Sequence, residues 1–134
     1  MEEIIKGSYG PVNDTDNSDI NISMYVIDIL RDTYSEIKSN KFIRLGLKKT
    51  NTGAKEQLKK IVEYCTNENY VDELNKFTDL TTLDERMKDK NKISVDFIGK
   101  ISGWCRASFI TLERLDEKLS KVIISVDLIK KNNE

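Results

Sequence analysis

Residues 97–129 read FIGKISGWCRASFITLERLDEKLSKVIISVDLI, and the fold turns on how this stretch is parsed. Its apolar and small positions fall at Phe97, Ile101, Trp104, Ser108, Leu112, Leu115, Leu119, Val122, Val126 and Ile129. Steps of three and four residues alternate through the whole series, close to a heptad seam. This spacing predicts one amphipathic helix over about 94–131, roughly 55 Å long at 1.5 Å per residue. A small domain is about 30 Å across, so the end of such a helix projects beyond a monomer. Gly99 and Gly103 mark the alternative, a break near Ser102-Gly103 that gives two antiparallel helices. The run Val122-Ile123-Ile124-Ser125-Val126 is β-branched, but it falls inside the helical register.

Working towards the N-terminus, further helical stripes follow. Ile20, Met24, Ile27, Leu30, Tyr34 and Ile37 predict a helix over 19–38, capped by Ser18 or Asp19. A short helix is expected over 41–48. After the turn at Thr50-Asn51-Thr52-Gly53, Leu58, Ile61, Val62 and Cys65 place another over 54–65. Val71, Leu74 and Phe77 mark a helix over 70–77, and Thr82-Leu83-Asp84-Glu85 has the form of a capping box. One Pro and six Gly in 134 residues leave few breakers. The expected fold is therefore all-α, a small helical bundle of five to six helices built around the long C-terminal one. The expected core comprises Ile27, Leu30, Tyr34, Leu58, Ile61, Val62, Leu74, Phe77, Phe97, Ile101, Trp104, Leu112, Leu115 and Leu119. Residues 1–18 read as an acidic, irregular N-terminal arm, and 19–134 as a single helical domain.

Composition narrows the chemistry. With 22 basic and 23 acidic residues the net charge is −1, which excludes a globally basic nucleic-acid binder. There is no His, so any mechanism needing an imidazole base, relay or ligand is excluded. The glycines fit no phosphate-loop or dinucleotide pattern. Asp14-x-Asp16-x-Ser18 opens like a calcium loop, yet Asp19 and Tyr25 stand where Gly and Glu are required. Cys65 and Cys105 lie 40 residues apart on apolar stripes, which suggests buried, inert thiols and neither a zinc site nor a disulfide framework. No enzymatic activity, cofactor or metal is expected.

The N-terminus lacks the cationic start and apolar core of a signal peptide, and no apolar run approaches the roughly 20 residues of a membrane span. A cytoplasmic protein without membrane contact is the expectation. Ile, Lys and Asn supply 44 residues, a bias of AT-rich coding sequence that points to a low-GC bacterium, its phage, a large DNA virus or a similar parasite, with the cytoplasm that of a host cell if the origin is viral.

Charge along the chain is sharply polarised. Residues 38–60 carry eight basic side chains against Glu56 alone, a net +7, while 61–86 carry a net −5. Two functions follow. The first is a non-enzymatic interaction protein, an inhibitor or accessory subunit, that meets a protein partner or a second copy through the C-terminal helix. Trp104, Leu119, Val122, Val126 and Ile129 would form that interface. The second is a nucleic-acid-associated subunit in which Lys41, Arg44, Lys48, Lys49, Lys55, Lys59 and Lys60 track a phosphate backbone.

Overall fold

The structure, a computed structural model, describes residues 20–38 and 52–131. It replaces the expected all-α bundle with a five-stranded antiparallel sheet covered on one side by short helices. Strands β1 (Ile20–Asp28) and β2 (Thr33–Lys38) form a hairpin. Helices α1 (Ala54–Cys65), α2 (Val71–Phe77) and α3 (Leu80–Arg86) follow, with a single 3-10 turn, Glu68–Tyr70, before α2. Strands β3 (Lys92–Gly99), β4 (Gly103–Leu115) and β5 (Lys118–Leu128) complete the chain as a meander. The spatial order is β2-β1-β5-β4-β3, so the first and last strands pair at the centre. The expected acidic arm 1–18 and the helix over 41–48 lie outside the described residues.

The correction has a plain physical cause. A helical seam and a strand alternation share alternate subsets of the same residues, and here the alternation decides burial. Cys105, Ala107 and Phe109 are buried along β4, with Val122 and Ile124 beside them on β5. The seam residues Ile101, Leu112 and Leu115 are exposed at 73%, 50% and 51%, and Ser108, though buried, lies on the sheet face opposite to Phe109. The N-terminal stripe fails in the same way. Tyr25, Ile27 and Tyr34 are buried, whereas Leu30 lies in an exposed turn and Ile37 on an edge strand. β-Branched residues at Ile93, Val95, Val122, Ile123, Ile124 and Val126 suit a pleated surface packed on one face. A continuous core joins that face to the helices through Leu58, Leu80, Leu83 and Met87.

Two joints tie the helices to the sheet, and a local cap starts the last helix. The α1 N-terminus lacks a side-chain cap of its own, because Gly53 stands there with φ 77°. Asp32, in the β1–β2 turn, supplies the missing acceptors. Its carbonyl oxygen accepts from the Gly53 N–H at 2.8 Å and its Oδ1 from the Lys55 N–H at 2.9 Å. The start of α3 is capped by Asp79, not Thr82, through the Thr81 N–H at 3.0 Å. At the far side, Arg114 Nη2 donates to the Met87 carbonyl at 2.6 Å and Nη1 to Asp84 Oδ1 at 3.3 Å, tying the end of α3 to the β4–β5 hairpin.

That hairpin explains why the strand pair is hard to read. Leu115 pairs with Lys118, leaving Asp116 and Glu117 as a two-residue turn with φ of 51° and 69°. Such turns favour Asn-Gly, which has no steric penalty there. Asp-Glu is a sequence of helices, yet it is held here by its flanking strands. Glu117→Gly is accordingly expected to stabilise the protein by roughly 0.5–1 kcal/mol, seen as a higher melting temperature. A lower melting temperature would contradict this turn geometry.

Candidate functional site

Antiparallel register assigns each strand residue to one of two faces. The described helices all pack on the face that carries Tyr25, Ile27, Ala107, Phe109, Val122 and Ile124. The other face receives none of them. On it, Val26 of β1, Ile123 of β5 and Ile110 of β4 stand side by side, each half-buried. Lys92 of β3 ends this otherwise apolar row. The next rows towards the β3–β4 turn are mainly polar, with Met24 of β1 beside Ser125, and most of their polar groups are paired with one another.

In the first polar row, Ser94 Oγ and Ser108 Oγ share a 2.8 Å hydrogen bond across β3 and β4. Asn21 Nδ2 donates to Ser125 Oγ at 2.9 Å and to Asp127 Oδ1 at 2.8 Å, crossing from β1 to β5. In the second row, Arg106 grips Asp96 with two bonds, Nε to Oδ1 at 2.7 Å and Nη2 to Oδ2 at 3.1 Å. Lys131 Nζ adds a third contact to Asp96 Oδ2 at 3.1 Å and lies 4.5 Å from the Trp104 ring centroid. Tyr70 meets the Trp104 ring edge-on at 5.9 Å. The hydrogen bond from Arg106 holds the Asp96 carboxyl below its usual range, with Lys131 assisting. Asp96 is thus a fixed anion in a network of partners, with no proton to give at neutral pH.

The sequence-derived interface comes apart. Leu119 and Val122 are 3% and 0% exposed, so neither has surface to offer a partner. Val126 lies on the helix-covered face beside the core cluster of Val62 and Phe97. Ile129 is half-buried, its N–H donating to the Trp104 carbonyl at 3.1 Å, and there is no C-terminal helix for it to line. Trp104 alone stays with the open face. Among the basic residues, Lys41, Arg44, Lys48 and Lys49 lie outside the described residues. Lys55 and Lys59 are exposed one turn apart on α1 and Lys60 is half-buried, with Glu56 and Glu63 on the same helix.

Sequence reasoning missed Asn21, Asp96, Arg106, Asp127 and the three serines. The signal was present as a two-residue period, Trp104-x-Arg106-x-Ser108-x-Ile110, which puts all four on one strand face.

Other chemistry is sparse. Burial pushes the Cys65 thiol up to about 11, and burial also raises Cys105, so both are protonated and weakly nucleophilic at neutral pH. Among the described residues no three His, Cys, Asp or Glu side chains gather as a metal site, and no helix is long and apolar enough to cross a membrane. No family model matches the chain, and neither does any curated protein or solved structure.

Proposed function

We propose that the protein is a non-enzymatic interaction module, an inhibitor or accessory subunit, whose recognition surface is the sheet face turned away from the helices. The observation that carries this reading is that the carboxylates of that face are each held by a neighbour on it, Asp96 by two cations and Asp127 by an amide. Asp96 is ion-paired with Arg106 and Lys131, and Asp127 is hydrogen-bonded by the neutral Asn21 amide, so the two carboxylates and two cations of the polar rows balance. The face's free contribution is apolar area at Val26, Ile110 and Ile123, beside a Trp and an Arg, the residue types that dominate binding energy in protein interfaces. The complementary surface is therefore that of a protein with an apolar, uncharged patch. The face is also preorganised, because its side chains are fixed by cross-strand bonds and little ordering entropy remains to be lost.

Ile123→Lys tests the reading. The substitution sits at the centre of the apolar row, pointing away from the core, and its cross-strand cost is about 0.2–1 kcal/mol, so the fold persists. Capture of the partner by the full chain is expected to fall at least about tenfold, or 1.4 kcal/mol. Equal capture by Ile123→Lys and the parent chain would remove the face from the account.

A second reading keeps the basic segment. Lys55 and Lys59 are exposed on one side of α1, where a phosphate backbone could lie. The interleaved Glu56 and Glu63 weaken that field. Oligonucleotide binding that collapses with added salt and is lost on reversing Lys55 and Lys59 would favour this reading over the first.

A further inference from the structure

We infer that the protein forms a two-fold dimer by pairing the outer edge of β3 with the same edge of a second copy. The inference does not need the recognition face to bind a partner: it concerns backbone groups at the rim of the sheet and, of that face's side chains, only those on β3.

The direction of those groups is fixed by four hydrogen bonds. The Asn91 carbonyl accepts from the Thr111 N–H of β4 at 2.9 Å, so odd-numbered residues along this strand turn inwards. The Ile98 carbonyl accepts from the Asn67 N–H, outside the sheet, at 2.8 Å, and the Lys100 N–H donates outwards to Cys65 at 2.8 Å. Trp104, opposite Ile98, turns its own carbonyl to Ile129. Even-numbered residues therefore point their N–H and C=O groups away from β4. For Lys92, Ser94 and Asp96 no strand among the described residues receives them. The stretch beside Asn67 closes one end of this window at Ile98, and the turn before Lys92 closes the other, which leaves a short free edge with Ser94 in its middle.

An open edge alone names no occupant. The sequence Lys92-Ile93-Ser94-Val95-Asp96 supplies one, because it is complementary to itself in reverse. Antiparallel pairing about Ser94 sets Lys92 against Asp96 of the second copy, Ile93 against Val95, and Ser94 against Ser94. At both ends Lys92 meets the carboxylate that Arg106 and Lys131 already contact, adding a further cation to it, and the apolar pair falls on the helix-covered face. Each outward N–H and C=O also finds an outward partner in this register. A lysine on an edge normally discourages strand addition, and here the same strand inverted brings a carboxylate opposite it. The two-fold axis stands perpendicular to the sheet, so the open faces of the two copies lie on the same side of a ten-stranded sheet.

Sedimentation equilibrium of the full chain, from low to high micromolar concentration, tests this. The parent protein is expected to rise from 15.5 kDa to twice that mass. Ser94→Pro removes an N–H that faces solvent in the monomer, together with the Ser94–Ser108 hydroxyl bond, a change an edge strand tolerates, and should hold the chain at 15.5 kDa with an unchanged circular dichroism spectrum. Lys92→Glu, which places Glu against Asp96 at both ends, should weaken the dimer at least about tenfold. Ile37→Lys, on the opposite edge strand β2, should leave it intact. A monomeric parent at every concentration overturns the inference. So does a dimer that survives Ser94→Pro or Lys92→Glu, or one that is lost with Ile37→Lys.

Discussion

Phe109→Ala is expected to cost about 3–5 kcal/mol, the upper range for emptying a buried aromatic site. Phe109 is 0% exposed, at the centre of β4, and its ring stacks on Phe77 of α2 at 5.2 Å. It pairs with Ile93 on one side and Ile124 on the other, so its removal opens a void between the sheet and the helices. Domains of this size are stable by only about 5–15 kcal/mol, and the variant should lose much of its resistance to urea. Leu115→Ala is the matched control. Leu115 lies at the end of the hairpin, half of its surface in water, and its truncation should stay within about 0.5 kcal/mol. On a helical seam the order reverses, with Leu115 in the core and Phe109 off it. Urea titration of the two variants thus reads out the fold directly, and equal costs would contradict the sheet.

Val122→Asp carries the second large effect. Val122 is 0% exposed on β5, the middle strand, flanked by Ile27 on β1 and Thr111 on β4. A carboxylate there loses its hydration and gains no cation, and among point mutations such a change belongs to the rare class costing more than about 4–5 kcal/mol. The variant is expected to be unfolded, with its sheet signal lost in circular dichroism. Were Val122 instead on a surface that seats a partner, the variant would fold normally and lose only assembly. A folded, soluble Val122→Asp protein would therefore return β5 to the surface.

Legibility of the sequence divides along one line. Helix α1 matches the expected bounds of 54–65, and α2 begins one residue from its expected start, because Leu58, Val62 and Leu74 recur at helical spacing with no competing alternation. In the strands both periods were available. Phe97, Leu119 and Val122 satisfy the helical seam and the strand alternation at once, so their hydrophobicity could not arbitrate. Turn chemistry should have arbitrated, but Asp116-Glu117 and the Asp28-to-Thr33 connection carry no Gly, and each leaves a non-glycine residue at positive φ. The outcome is set by tertiary contact, in which β1, from the start of the described chain, pairs with β5 at its end. The polar rows follow from that pairing. Arg106 and Asp96 are neighbours only across strands, ten residues apart, and Asn21 reaches Asp127 over 106.

The most direct test of the proposed recognition surface is site-resolved photo-crosslinking of the full chain in its own cellular setting. One photoreactive residue replaces Ile110, in the apolar row of the open face, and another replaces Glu73, exposed on α2 on the opposite side. A discrete protein adduct from position 110, absent from position 73 and abolished by Ile123→Lys, is the predicted result. An adduct formed equally from both positions, or from position 73 alone, would contradict recognition through this face.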